Sequence, residues 1–412
     1  MKAISLHRIQ TKTESDVKRF FEKLVEGALL ISGSITSITI LLIIIFLFKE
    51  ASGLFNSPVI EEGYVLAFNK DNPVKKLSSY QIKEIFDAKI TNWDEVGGKE
   101  EPIEVVRLSD LTKYYTEAEL GSNFENIPAK ASELTAKHPG IILFLPTNYI
   151  AKNFNGTLLK HETLRPGDFF GGKEWYPTAS PSPQYGLLPL LLGTLWVSLG
   201  AILLSLPFGL AVAVYLAEIA DIRVRNFLKP VIELLAGIPS VVYGFFGLVV
   251  IVPFLQKTFN LPVGETALAG SIVLGIMALP TIITVAEDAM RNVPRAMKEA
   301  SLALGATQWQ TIYRVVIPYA KSGITSAAVL GIGRAIGETM AVLMVTGNAA
   351  VIPHTLLEPV RTIPATIAAE LGEASAGGGH YQALFMLGVI LFVITMIISI
   401  SIEFIGRKKY SN

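Results

Sequence analysis

The sequence predicts an all-α membrane protein of six helices, with an α+β extracytoplasmic insert between helices 1 and 2. Two observations carry this. The 412 residues have a mean hydropathy of +0.47 with 51% hydrophobic side chains, gathered in blocks long enough to cross a bilayer. A polar stretch of about a third of the chain separates the first block from the other five. The 35 basic and 35 acidic side chains cancel, which excludes a nucleic-acid binder acting through bulk positive charge, and 17% charged residues is too few for a disordered chain. With no cysteine, disulfides, thiolate metal sites and catalytic thiols are excluded, while the redox compartment stays open.

The first block, residues 25–48, has no Lys, Arg or Asp and only Glu26 near its start. Its roughly 24 residues, at about 1.5 Å each, cover a hydrocarbon core of about 30 Å. The small residues Ala51, Ser52 and Gly53 have the look of a cleavage site. A long polar lead and a run longer than the 7–15 or so residues of a signal peptide favour an uncleaved anchor. Further spans are expected at 187–217, 227–255, 268–286, 322–345 and 384–405. Basic residues in short loops resist translocation and set the orientation. Lys2, Arg8, Lys12, Lys18, Arg19 and Lys23 precede the first span, Arg223 and Arg225 the third. Arg291, Arg295, Lys298, Arg314 and Lys321 fall between the fourth and fifth, and Arg407, Lys408 and Lys409 follow the sixth. The opposite short loops offer Lys257 and Arg361. Tails at 1–24 and 408–412 are therefore expected in the cytoplasm and residues 49–185 outside. On this topology the neutral total divides into a positive cytoplasmic face and a negative outer one.

Within 49–185, residues 64–68 and 103–106 read as strands, 79–88 as an amphipathic helix, Gly97-Gly98 as a turn and 141–145 as another strand. Pro177, Pro181 and Pro183 suggest an extended connector into the second span.

The loop between the fourth and fifth spans, near 289–321, reads Glu299-Ala300-Ser301-Leu302-Ala303-Leu304-Gly305, then Val315-Val316-Ile317-Pro318. Small Ala300, Ser301 and Ala303 permit close approach by a partner, Gly305 suits a helix end, and Pro318 suits the start of a new helix. This closely resembles the EAA loop of ABC-transporter permeases, with the fold of the six-helix type I (MetI-like) class over a core at 186–407. In that family the loop is a short coupling helix that docks on the ATPase subunit. An ordinary amphipathic cytoplasmic loop is the alternative. No Gly-x4-Gly-Lys-Ser/Thr phosphate loop occurs in the chain. A permease subunit with a separate motor follows, with no cofactor on this chain and ATP-Mg on the partner.

The third span holds Leu235-Ala236-Gly237-Ile238-Pro239-Ser240-Val241-Val242-Tyr243-Gly244, and the fifth Gly333-Arg334-Ala335-Ile336-Gly337-Glu338-Thr339-Met340-Ala341-Val342. Both resemble the phosphate-specific permeases of bacteria, of the PstC type. Entering from the cytoplasm, Arg334 and Pro239 each fall about 12 residues, or roughly 18 Å, into a helix, near the midplane. A charge there costs about 3 kcal/mol or more and points to a substrate path with a partner nearby. A guanidinium offers forked donors suited to two phosphate oxygens. Glu338, four residues on, lies on the same face if the helix continues. It then serves either as an intrahelical ion-pair partner or as acceptor for a protonated phosphate oxygen. Gly333 and Gly337 form a Gly-x3-Gly step that lets another backbone approach, for substrate or for packing alone. Pro239, between Gly237 and Ser240, implies an unwound site or a simple kink, with Tyr243 and Thr339 beside the path. Pro280-Thr281 reads as a weaker break, and Glu233 is expected to pair with Lys229.

The insert's stretches 68–77, 85–98 and 103–107 resemble part of the periplasmic phosphate-binding protein. That family's Ser- and Gly-rich loop contacts phosphate through backbone N–H groups. Here Arg107-Leu108-Ser109-Asp110-Leu111-Thr112 lacks the glycine, which favours a lobe for docking or gating over an occupied site.

The resemblances imply a phosphate importer in a bacterial or archaeal inner membrane, not itself an enzyme. Its partners would be a homologous second permease subunit (PstA type), a cytoplasmic ATPase dimer (PstB type) and an extracytoplasmic binding protein (PstS type), with no nucleic acid. A permease for sulfate, molybdate or a phosphonate, and a membrane phosphate sensor, are the rival readings.

Overall fold

The computed structural model describes residues 2–159 and 162–407. The expected tail at 408–412, with Lys408 and Lys409, lies outside them. The first span is part of one helix, α1 (Lys2–Ser52), so the stretch expected as a separate tail ahead of residue 25 is helical and continuous with it. Leu29, Leu30, Ile31 and Leu41 stay exposed on α1, as suits a lipid-facing helix, and Phe46 meets Phe385 edge-on at 5.5 Å.

The insert is built on β1 (Tyr64–Phe68), α2 (Ser79–Phe86), β2 (Glu104–Arg107), α3 (Ile127–Lys137), β3 (Ile141–Pro146) and β4 (Thr157–Leu159). The sheet order is β2-β3-β1-β4, parallel between β2 and β3 and antiparallel at the other two joins. Strand alternation sends Leu66, Phe68, Ile142 and Phe144 into one apolar layer with Ile82, Ile85 and Trp93. Ala67, Leu143 and Leu145 enter the other, with Leu111, Ala131 and Leu134. Both faces are covered, which explains why 141–145 is an unbroken apolar run. Helix α2 starts on a capping box, in which Gln81 N–H donates to Ser78 Oγ at 3.2 Å and Ser78 N–H to Gln81 Oε1 at 2.9 Å. Gly97 turns the chain at φ +85°, as the glycine pair suggests.

The connector departs from expectation. Trp175–Tyr176 (β5) and Gln184–Tyr185 (β6) pair as a hairpin. Trp175 and Tyr185 are buried with Leu187, Leu190, Ile363 and Leu384 of the helical part, so the insert and the bundle share a core. The prolines lie in the turn region between the two strands, where no ladder N–H is required of them.

The helical part runs α4 (Leu188–Ile219), α5 (Ile222–Ala236), α6 (Ser240–Phe259), α7 (Ala267–Arg291), α8 (Arg295–Ala303), α9 (Gln308–Tyr319), α10 (Lys321–Gly337), α11 (Met340–Val345), α12 (Ile363–Glu370) and α13 (Gly379–Arg407). Among the described residues five helices are long and apolar enough to span a membrane, and six if α9 and α10, bent by 71°, form one span. That is the predicted number, assembled differently. The expected third span at 227–255 is two helices, α5 and α6, parted at Gly237–Pro239. The expected fifth span at 322–345 breaks at Glu338–Thr339. The break expected at Pro280 is absent, and α7 continues through it. At the centre, α7 packs against α4 and α10.

Candidate functional site

Two half-helices start side by side. A Cβ on Gly244 of α6 would lie 2.8 Å from Met344 and 3.0 Å from Ala341 of α11, so the missing side chain is what lets them approach. Gly247 meets Val345 in the same sense, so α6 and α11 run parallel from their two breaks. Pro239 supplies no N–H and holds an extended ψ of 142° ahead of Ser240, the first residue of α6. Tyr243 spans the break, its hydroxyl donating to the Leu235 carbonyl of α5 at 2.8 Å.

Arg334 lies three residues before the end of α10, half-buried beside this junction. Its Nη1 donates to Thr281 Oγ1 of α7 at 3.2 Å, and the next residue, Ala335, is buried in one apolar cluster with Tyr243. The expected stacking of Arg334 and Glu338 on one helix face is not observed. The helix ends at Gly337, and Glu338 follows in an extended conformation (φ −71°, ψ 135°), which takes its side chain off that face. Two glycines in five residues weaken the last turn enough for it to unwind. Among the described residues of this chain, none makes the close approach that Gly333 and Gly337 allow. A Cβ at either would meet nothing within 4 Å, so that side of α10 is open. Thr339 bonds locally, its hydroxyl donating to the Gly337 carbonyl at 3.3 Å. The structure thus brings the helix end that carries Arg334 into the same apolar cluster as Tyr243 of α6, through Ala335, and takes Glu338 off the arginine's helix face. Sequence reasoning missed Thr281 as the arginine's support. Its spacing of 53 residues from Arg334 leaves no local signal.

Lys229 does not pair with Glu233. It reaches Glu287 at 2.8 Å and Asp288 at 2.9 Å on α7, and Glu233 stays exposed. The carboxylate at 287 is buried and the more demanding of the two for a counter-charge.

The loop after α7 forms the short helix its residues suggest. Helix α8 ends in a glycine turn, with Gly305 at φ +83°, its N–H donating to Leu302 O at 2.9 Å and Ala306 N–H to Ser301 O at 3.2 Å. No residue of α8 is buried, and Glu299 and Ala300 face solvent. Leu304 is 90% and Trp309 64% exposed, so two large apolar side chains of this loop stand in solvent. Ser301 and Thr311 hydroxyls bond at 3.0 Å across the turn. Pro318 lies near the end of α9, where the chain bends into α10.

At the ends of the helices nearest the insert, Glu370 of α12 joins the insert to the bundle. Its Oε2 accepts from Trp175 Nε1 at 2.9 Å and meets His380 Nε2 at 2.9 Å, while Arg361 binds Oε1. Burial pulls this carboxyl upward, but the hydrogen bonds from His380 and Trp175 and the Arg361 charge outweigh it and hold it below the ordinary glutamate range. Such a group stabilises the fold above its unfolded value and loses that contribution as pH falls through its folded one. Thermal melting of the detergent-solubilised chain is therefore expected to fall more steeply below about pH 4 in the native protein than in Glu370→Gln.

In the insert, the loop after β2 is closed on itself. Asp110 accepts from the Arg107 N–H at 3.0 Å and pairs with Lys113 at 2.8 Å, which lower its carboxyl from the usual range, so an internal carboxylate takes that donor. Among the described residues no group of three or more His, Asp or Glu is arranged to hold a metal.

Residues 205–409 match the family described as "Binding-protein-dependent transport system inner membrane component", and residues 46–157 match the "PBP superfamily domain". The chain is 40% identical over 246 residues to the "Probable ABC transporter permease protein YqgH" of Bacillus subtilis (strain 168), covering 60% of this chain and 79% of that one. It is 39% identical over 249 residues to the "Phosphate transport system permease protein PstC" of Mesorhizobium japonicum, covering 56% and 75%. It is 37% identical over 246 residues to the protein of that name in Xylella fastidiosa (strain Temecula1), covering 55% and 74%.

Proposed function

This chain belongs to the PstC-type family of binding-protein-dependent transport permeases of the inner membrane, and from that premise we propose that it is the membrane subunit of an ATP-driven inorganic phosphate importer in which Arg334 receives the anion. The observation that carries this reading is a half-buried guanidinium held by a neutral hydroxyl, Thr281, rather than by a carboxylate. An arginine at that depth needs an anion, and its forked donors match two oxygens of a tetrahedral oxyanion. The breaks at Gly237–Pro239 and Glu338–Thr339 support the same site, because each begins a half-helix and the two half-helices pack on one another, with Ser240 and Tyr243 on one and Thr339 at the N-cap of the other. Glu338, released from the arginine's helix face, serves as acceptor for a protonated phosphate oxygen, which sulfate lacks at neutral pH.

The chain forms half of the pathway with a homologous second permease subunit, whose backbone meets the open side of α10 at Gly333 and Gly337. Cytoplasmic ATPases bind the exposed loop of α8 and α9 through Glu299, Ala300, Ser301 and Gly305, with Pro318 at the bend behind it. Hydrolysis belongs to those partners, which hold ATP-Mg, and this chain binds no cofactor. Both termini are cytoplasmic. The insert at 49–185 docks an extracytoplasmic binding protein rather than holding phosphate itself, as the Asp110 closure of its loop supports.

Purified complex in proteoliposomes tests the reading. Radiolabelled phosphate is expected to accumulate only when ATP is enclosed on the ATPase side. Binding of phosphate without ATP-dependent accumulation would establish the sensor reading in its place.

A further inference from the structure

We infer that Glu218 receives the motion of the coupling helix α8 and passes it into α4, which thereby acts as a strut between the cytoplasmic loop and the extracytoplasmic insert. The inference rests on the reading of the loop of α8 and α9 as the ATPase-docking element. Glu218 lies at the inner end of α4, in a π-helical turn over Tyr215–Ile219. Such turns carry a local expansion of the helix and recur at functional sites. Its side chain is 10% exposed and meets Lys298 of α8, 21% exposed, at 2.6 Å. Gln308 at the start of α9 donates through Nε2 to the Glu218 carbonyl at 2.9 Å. One residue thus holds both arms of the loop, one on each side of the Gly305 turn.

The loop is braced to move as a unit. Ser301 and Thr311 bond across it, and the Thr307–Gln310 capping box fixes the start of α9. Since no residue of α8 is buried, packing contributes little to its position, and the charge pair takes a correspondingly larger share. One turn before Glu218's end of the helix, Leu216 is buried in the cluster that holds Ile283, Ala286 and Met290 of α7 and Val316, in a second π turn, of α9. A displacement of Glu218 is therefore delivered to packed helices and not to lipid. At the far end of α4, about 42 Å from Glu218 at about 1.5 Å per residue, Leu190 is buried with Phe169 and Trp175 of the insert. Thr194 Oγ1 also accepts the Ile363 N–H at the base of α12, at 2.9 Å. The same helix is thus tied at one end to the ATPase-facing loop and at the other to the insert. Glu218 is a positioning residue, since it touches no substrate.

The experiment uses the whole complex reconstituted with its ATPase, phosphate-loaded binding protein as stimulus and inorganic phosphate as cargo. The variants are Glu218→Gln, Lys298→Gln, the exchange Glu218→Lys with Lys298→Glu, and Glu299→Lys in parallel. Glu218→Gln is expected to co-purify with the ATPase and keep basal hydrolysis. Its stimulation by loaded binding protein, and phosphate moved per ATP, should fall at least about fivefold, with Lys298→Gln matching it and the exchange restoring most of the loss. Native stimulation and stoichiometry in Glu218→Gln would overturn the inference, as would an exchange variant that fails to recover. A Glu218→Gln complex that no longer assembles, and is not rescued by the exchange, overturns it in favour of a purely structural residue. Failure of the underlying docking reading is read separately, from undiminished ATPase capture by Glu299→Lys.

Discussion

Arg334→Gln is expected to lower ATP-driven phosphate uptake by about a hundredfold or more, with the complex still assembling. Loss of one partner from a desolvated charge pair costs about 3 kcal/mol or more, and each 1.4 kcal/mol is about a decade in affinity. The neutral amide keeps a donor for Thr281 but no charge for the anion. Because Thr281 orients the guanidinium through a single hydrogen bond of 3.2 Å, its loss bears on position and not on charge, so the effect should be confined to the arginine change. The measurement is initial uptake rate in proteoliposomes at matched protein content. A native rate in Arg334→Gln would remove the arginine from the path.

Glu299→Lys is expected to weaken ATPase association by about tenfold or more, because reversing a charge inside the proposed interface removes whatever complementarity the glutamate supplies and replaces it with its opposite. Glu299 is exposed on a helix with no buried residue, so the change leaves the fold of this chain intact and acts on the partner surface. Leu304 and Trp309 flank it with apolar area that is costly to leave in water. Co-purification of the ATPase from detergent extracts checks this, and assembly and turnover equal to the native complex would show that the loop does not dock it.

Much of this architecture is legible in the chain, and the misses have physical causes. Block length and apolarity marked the spans because a bilayer imposes a minimum length on any helix that crosses it. They did not show that 227–255 is two helices, since apolarity continues across the break while backbone geometry does not. The residues that part it, Gly237 and Pro239, were visible, and the break falls on them. At Pro280 the same reasoning failed, because α7 is packed between α4 and α10 and tertiary contacts keep it helical. The pairing of Arg334 with Glu338 assumed a continuous helix, and Gly337 ended it. Partners distant in sequence left no trace: Thr281 for Arg334, Glu287 for Lys229, and Glu218 for Lys298. Local signals did better. The capping of α2, the Gly97 turn and the Gly305 helix end each follow from residues within a few positions of one another.

The most direct test of the phosphate importer is competition between anions in one preparation. Proteoliposomes carrying the complete complex, with ATP on the ATPase side, are given radiolabelled phosphate or radiolabelled sulfate together with the binding protein. Phosphate is predicted to accumulate at a rate that a large excess of unlabelled sulfate leaves unchanged, and sulfate itself is predicted not to accumulate. Sulfate entering at a comparable rate, or phosphate failing to enter at all, would contradict the assignment.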